Sequence, residues 1–144
     1  MATFPIYSTR YFTKRCARGL KVLQRVQVLK KYVRHAAVFN CRKVSGSDYW
    51  SAHSRGDAGD LMFRVRVIGD KEKVLEAFRA CIKQATRRTL ANRGCKIQAV
   101  QIIGWDREWR RGEGISTYKG ALHNNHIHVG FSLASKVKPE CVTA

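Results

Sequence analysis

The apolar pattern alternates between helical and extended periods along this chain, and that alternation most narrows the folds open to it. Residues 17–37 and 71–91 repeat apolar side chains at three- and four-residue steps, which is typical of amphipathic helices. Shorter stretches with period-2 or β-branched apolar runs are predicted strands, namely residues 38–44, 61–67, 97–104 and 126–133. The order helix, strand, strand, helix, strand, strand predicts an α+β fold, in which a small, mostly antiparallel sheet is flanked by two main helices.

The length of the chain indicates its domain organisation. At 144 residues it can bury one hydrophobic core, so we expect a single domain over 1–144. Within it we distinguish a basic N-terminal segment and helix (1–37), a core (38–133) and a tail (134–144). Residues 105–122 are rich in Gly, Arg and Trp and are predicted to form a long loop.

The charge is strongly positive and unevenly placed. Lys and Arg number 28 against 10 Asp and Glu, for a net charge of +18, and residues 1–47 contain no acid at all. This balance indicates a polyanionic partner such as nucleic acid, lipid headgroups or an anionic cell wall.

No apolar run reaches the roughly 20 residues of a membrane span, and the start lacks the order of a secretory signal, so we expect cytoplasmic synthesis without a signal peptide. The five cysteines form no C-x-x-C pair and are expected to be reduced thiols.

Histidines are concentrated in two short polar patches. His53 precedes Asp60 by seven positions, while His123, His126 and His128 lie together near the C-terminal end. On a strand, His126 and His128 point to the same face with Cβ atoms roughly 7 Å apart. Two imidazoles and one carboxylate around an open fourth position are what a catalytic zinc ion requires. We therefore predict that His53, Asp60 and His128 bind Zn²⁺.

The first patch also carries a resemblance to a known family. Residues 51–60 read S-x-H-x-x-G-x-A-x-D, and all five fixed positions match the signature of the zinc D-alanyl-D-alanine carboxypeptidases, which include phage L-alanyl-D-glutamate endolysins. Residues 126–129 resemble the closing strand of that family, whose last histidine is the third zinc ligand. Residues 103–128 are similar to a branch found in phage and actinobacterial proteins, so the resemblance covers about residues 40–133.

The resemblance implies a fold, a reaction and further site residues. It implies a DD-peptidase-like or hedgehog-like fold and a zinc-dependent hydrolase, a metallopeptidase that cuts stem-peptide bonds of peptidoglycan. An upstream arginine of the family often binds substrate, and Arg42 is the nearest candidate. The family's general base corresponds to Asn125, an amide that cannot accept a proton at neutral pH. We expect either that His126, Asp57 or Asp106 serves as base, or that the site binds metal without efficient turnover.

Aromatic residues interleaved with arginines follow the third predicted strand. Trp105, Trp109 and Tyr118 are candidates to line a substrate groove, to stack on unpaired bases, or to pack in the core. We also assign Ser51 and His123 to substrate binding.

Three functions remain open at this point. The first is a peptidoglycan peptidase of phage or bacterial origin, released to the cell wall, whose cationic face approaches anionic polymers. The second is a catalytically impaired member of the same fold that acts as a basic structural or nucleic-acid-binding protein, associated with a virion. The third takes residues 126–128 as the His-hydrophobic-His motif of rolling-circle nucleases, with Tyr118 or Tyr32 as nucleophile. The oligomeric state is not predicted.

Overall fold

A six-stranded sheet organises the molecule. The structure is a computed structural model that describes residues 2–7, 12–37, 43–44, 47–87 and 96–137. Its helices are α1 (Lys14–Leu23), α2 (Gln27–Tyr32) and α3 (Lys71–Thr86). Its strands are β1 (Val33–Ala37), β2 (Ala58–Phe63), β3 (Gln101–Trp105), β4 (Arg107–Arg110), β5 (Gly114–Thr117) and β6 (His123–Gly130). The strands lie in the order β1-β2-β6-β3-β4-β5 and every neighbouring pair is antiparallel, which confirms the predicted α+β class with a small sheet.

The two faces of the sheet differ because side chains alternate along each strand. Leu61, Ile102 and Ile127 are fully buried in one contiguous core that also contains residues of α1 and α3. The alternate positions Asp60 and His128 lie on the other face, which is polar. This polar face carries the candidate site described below.

The N-terminal helix prediction is wrong in its extent. Residues 17–37 do not form one helix, because α1 ends at Leu23 and Val26 adopts extended backbone angles (φ −78°, ψ 123°). Residues 33–37 form the strand β1, in which an irregularity between Val33 and His35 shifts the register against β2. Val33 and Ala36 are therefore both buried at a three-residue spacing, which imitates a helical period in the sequence.

The predicted long loop over residues 105–122 is also wrong, since β4 and β5 form a hairpin there. Trp105 has a positive φ of 54°, which lets the chain turn directly from β3 into β4. Gly112, in the turn between β4 and β5, and Gly114, the first residue of β5, adopt φ of 81° and 80°, a conformation that glycine tolerates without strain.

Several predicted boundaries shift. Asp70 caps α3 by accepting a hydrogen bond from the Lys73 N–H, but the helix ends at Thr86 rather than at residue 91. The strand predicted over 61–67 becomes β2, which begins at Ala58 and turns away after Phe63. β3 begins four residues later than predicted, and β6 begins and ends three residues earlier. The strand predicted over 38–44 lies largely outside the described residues, although Lys43 forms a bridge to Trp50.

The basic N-terminal helix packs into the core through its inner face. A Cβ built on Gly59 would lie 2.8 Å from Leu20 Cδ1, so α1 lies in direct contact with β2. A Cβ built on Gly19 would lie even closer to the ring of Phe131. Cys16 of α1 and Cys81 of α3 are buried free thiols, in which burial raises the pKa. Within the described part of the chain, no helix has the length and apolar character that crossing a membrane requires.

Candidate metal centre

A short capped turn holds His53 against the sheet. Ser51 precedes the 3₁₀ turn Ala52–Arg55, and its Oγ accepts a hydrogen bond from the His53 N–H at 3.2 Å. Gly56 ends the turn in the left-handed conformation (φ 68°), after which the chain enters β2. These two residues of the sequence signature therefore direct the imidazole of His53 toward the strand that follows it.

Asp60 and His128 meet His53 because β2 and β6 are adjacent. Asp60 pairs directly with His128 across the two strands, so both side chains point to the same face. His53 Nε2 lies 3.1 Å from Asp60 Oδ1 and 3.1 Å from His128 Nδ1, and the third edge, from His128 Nδ1 to Asp60 Oδ1, measures 3.5 Å. Three ligating atoms thus form a compact triangle, and the group could hold a metal ion.

The triangle is buried and one of its atoms lacks a hydrogen-bond partner. All three residues are at most 9% exposed, and the Oδ1 atom of Asp60 accepts no hydrogen bond of acceptable geometry from the described residues. An unsatisfied buried carboxylate oxygen is costly, and a cation at the centre of the triangle would satisfy it. The donor set itself therefore fits a metal ion.

Burial and neighbouring groups shift the protonation of these residues in opposite senses. Burial by itself raises the pKa of Asp60, but the interactions with His53, His128 and His126 outweigh it and hold that pKa far below its usual range. Burial lowers the pKa of His128, against the opposing effect of Asp60. The carboxylate is therefore ionised and the His128 imidazole tends to be neutral, which are the states that bind metal.

The triangle lies in the wall of a cavity of about 900 Å³. His126 also lines it and places Nε2 3.8 Å from Asp60 Oδ2. Tyr118 and His123 line the cavity as well, with their rings in edge contact at 5.2 Å between centroids. Burial, and then the charge of His126, lower the pKa of His123 to about 4, so this ring is neutral at pH 7.

Of the other residues assigned from the sequence that the structure describes, Ser51 lines the cavity and the remainder do not. Trp109 is a buried core residue and Trp105 packs against the same core, so neither tryptophan belongs to the cavity lining. Asn125 is exposed and contacts His126, with 2.6 Å between its Oδ1 and the ring Nδ1. Tyr32 donates a hydrogen bond to Glu76 away from the cavity.

Two carboxylates considered as alternative bases are engaged by arginines. Asp57 is bound by Arg15 and by the Thr13 hydroxyl, and Asp106 pairs with Arg107. Neither carboxylate lines the cavity. Arg42 lies outside the described residues.

The cavity wall also contains polar residues that the sequence analysis missed. Gln101 and Arg110 pair across β3 and β4, and Glu108 lies on the same face as both. The signal was present in the alternation around Trp109, where Glu108 and Arg110 occupy every second position. The prediction of a loop over 105–122 concealed it.

Comparison with known proteins leaves the family of the chain open. No family model, no curated protein sequence and no solved structure matches it. Any functional conclusion therefore depends on the site itself and on the short motif around His53.

Proposed function

We propose that this protein is a zinc-dependent peptidase that hydrolyses stem-peptide bonds of peptidoglycan. The observation that carries the proposal is the buried triangle of His53, Asp60 and His128 in the wall of a large cavity. The match of residues 51–60 to the zinc carboxypeptidase signature supports the same reaction class.

The size of the triangle favours a small tetrahedral ion. Zinc binds nitrogen and oxygen ligands at about 2.0–2.2 Å, so two ligands of a tetrahedral site are separated by about 3.4 Å. The three observed edges are 3.1, 3.1 and 3.5 Å, which agree with that separation. Three protein ligands leave a fourth position, as catalytic zinc sites do. Imidazole and carboxylate donors suit zinc better than they suit calcium or magnesium, which prefer oxygen ligands.

A residue beside the triangle can accept the proton that the attacking water loses. When bound, zinc supplies a Lewis acid and lowers the pKa of a coordinated water to about 7. The carbonyl oxygen of Asn125 can only accept, so its contact with His126 Nδ1 places the hydrogen on that nitrogen. The lone pair of His126 is then on Nε2, the nitrogen nearer to Asp60, where it can receive a proton. In this proposal His126 replaces the family's carboxylate base and Asn125 orients it.

The basic surface supports a substrate in an anionic polymer. Lys14, Arg18, Lys21 and Arg25 are exposed at three- and four-residue spacing, which places them along the outer side of α1 and the turn after it. No acidic residue precedes Asp48 in the chain. This side attracts anionic wall polymers at long range. The same surface favours the second candidate function, a basic nucleic-acid-binding protein with an impaired catalytic site.

Metal analysis combined with peptide release tests the proposal. We expect about one zinc ion per chain in the purified protein and none in His53→Ala, together with release of stem peptides from purified peptidoglycan by the wild type alone. His35→Ala is the matched control, since His35 lies on β1 outside the cavity lining and should retain both metal and activity. Zinc without peptide release would favour the impaired protein, and absence of zinc would refute the proposal.

A further inference from the structure

The cavity contains a second polar cluster that the proposed zinc chemistry does not use. It consists of Gln101, Glu108 and Arg110 on β3 and β4. Gln101 Nε2 donates a hydrogen bond to Glu108 Oε2 at 2.5 Å, and Arg110 Nε donates to the same oxygen at 3.0 Å. Both donors converge on one oxygen of a carboxylate that is only 9% exposed.

The cluster retains unused hydrogen-bonding capacity of both kinds. Within the part of the chain that the structure describes, Glu108 Oε1 has no donor, and Arg110 Nη1 and Nη2 have no acceptor. A buried carboxylate normally accepts several hydrogen bonds, and a guanidinium binds carboxylates through paired N–H groups. An unused acceptor and unused donors therefore lie side by side in the cavity wall.

Glu108 and Arg110 carry opposite charges and lie within 3.0 Å of each other. A ligand group with only a positive or only a negative charge meets one attractive and one repulsive partner here. A group that carries an ammonium and a carboxylate on one carbon can place its ammonium on Glu108 and its carboxylate on Arg110.

The pairing of the strands gives the distance from this cluster to the metal triangle. His128 pairs with Ile103 across β6 and β3, and Ile103 pairs with Glu108 across β3 and β4. Two strand spacings amount to about 10 Å, the length of about three residues of an extended peptide. The geometry points to a subsite formed by Gln101, Glu108 and Arg110 that binds a zwitterionic amino-acid group of the substrate, about 10 Å from the metal triangle. This inference deepens the proposed peptidase function and depends on it for the peptide that carries the group.

Binding of matched peptides to the full chain tests the subsite. The probes are three tripeptides that share L-alanyl-D-γ-glutamyl and end in diaminopimelate, lysine or aminopimelate, with the backbone carboxyl amidated. The side chain of the last residue then carries an ammonium and a carboxylate in diaminopimelate, only an ammonium in lysine, and only a carboxylate in aminopimelate. We expect calorimetry to show at least tenfold tighter binding of the diaminopimelate peptide, since hydrogen bonds to charged groups typically contribute about 1.5–3 kcal/mol. Affinities within twofold of one another would overturn the inference.

Variants separate this subsite from the metal centre. Glu108→Gln should weaken binding of the diaminopimelate peptide at least tenfold without changing zinc content, while Glu113→Gln, an exposed glutamate in the β4–β5 turn, should change neither. His53→Ala, which cannot complete the metal triangle, should keep the preference among the three peptides. If the preference persists in this variant but the wild type cleaves no peptidoglycan, the subsite stands and the peptidase proposal fails. If cleavage occurs and Glu108→Gln binds as the wild type does, the subsite is refuted and the peptidase proposal stands.

Discussion

The ion pair between Asp57 and Arg15 joins the N-terminal helix to the segment that carries His53. Asp57 is 3% exposed and accepts hydrogen bonds from Thr13 Oγ1 at 2.7 Å, from Arg15 Nε at 3.0 Å and from Arg15 Nη2 at 2.5 Å. Thr13 also caps α1 through the Cys16 N–H, and its own N–H donates to the Gly56 carbonyl. Substituting Asp57→Asn should therefore destabilise the contact between α1 and the start of β2.

The expected loss follows from counting those hydrogen bonds. An asparagine keeps one accepting oxygen and places an amide NH₂ against the guanidinium, so it can retain at most part of the set. Hydrogen bonds to a charged group contribute about 1.5–3 kcal/mol each. The Arg15 side chain is 51% exposed, so solvent screens the ion pair and the lower end applies. We expect Asp57→Asn to lower the free energy of unfolding by about 2–3 kcal/mol at pH 7.

Urea denaturation at several pH values tests this prediction. Burial by itself raises the pKa of Asp57, but hydrogen bonds from Arg15 and Thr13 outweigh it and the folded-state pKa is lowered. A carboxyl group whose pKa is lower in the folded state than in the unfolded state stabilises the fold. This contribution is complete above the unfolded-state pKa of about 4 and is lost as the pH falls toward the folded-state pKa. The difference in free energy of unfolding between the wild type and Asp57→Asn should therefore become smaller as the pH is lowered from about 5 toward the pKa of Asp57 in the folded state.

A matched control separates this effect from a general loss of charge. Asp106→Asn removes a carboxylate whose side chain is 45% exposed and paired with Arg107, and it should change stability by less than about 0.5 kcal/mol. Equal losses in both variants, or a difference for Asp57→Asn that does not vary with pH, would refute the reasoning. Unchanged stability of Asp57→Asn would refute it as well, whatever the peptidase activity of that variant.

Three further predictions concern the packing and chemistry of the site. Gly59→Ala places a Cβ 2.8 Å from Leu20 Cδ1 and should cost about 1–3 kcal/mol of unfolding free energy, and a urea midpoint equal to that of the wild type would contradict it. Gly130→Ala places a Cβ 3.0 Å from His128 Nε2 and should weaken zinc binding about tenfold in calorimetry, whereas unchanged affinity would show that the ring can move. His126→Gln should keep its zinc by elemental analysis but lower kcat at least a hundredfold, and a rate near that of the wild type would exclude it as the proton acceptor.

The parts of the molecule that the sequence predicts are those set by short spacings. Strand alternation places His126 and His128 toward one face, and a turn of a few residues returns His53 to Asp60. The fold class follows from the same periodicities. Local patterns of this kind need no knowledge of distant contacts.

The parts that it does not predict depend on long-range pairing or on irregular backbone. The register shift in β1 imitates a helical period, and the positive φ of Trp105 lets a strand follow where a loop is expected. The partner of Asp57 lies 42 residues earlier in the chain, and no local pattern indicates it. Glu108 was missed for a different reason: its place in the cavity depends on β4 being a strand, and the alternation around Trp109 that indicates this strand was interpreted as part of a loop.

The positions of the three proposed ligands along the chain affect how an ion would couple to folding. His53 and Asp60 are close in sequence, whereas His128 lies about 70 residues further on. In an unfolded chain, closing a loop of that length costs about 2 kcal/mol more conformational free energy than closing the seven-residue loop between His53 and Asp60. Unfolded chains can therefore bind the ion mainly through His53 and Asp60, which are close in sequence. An ion bound to all three ligands would cross-link β2 to β6, so its dissociation rate should follow the rate at which those two strands separate.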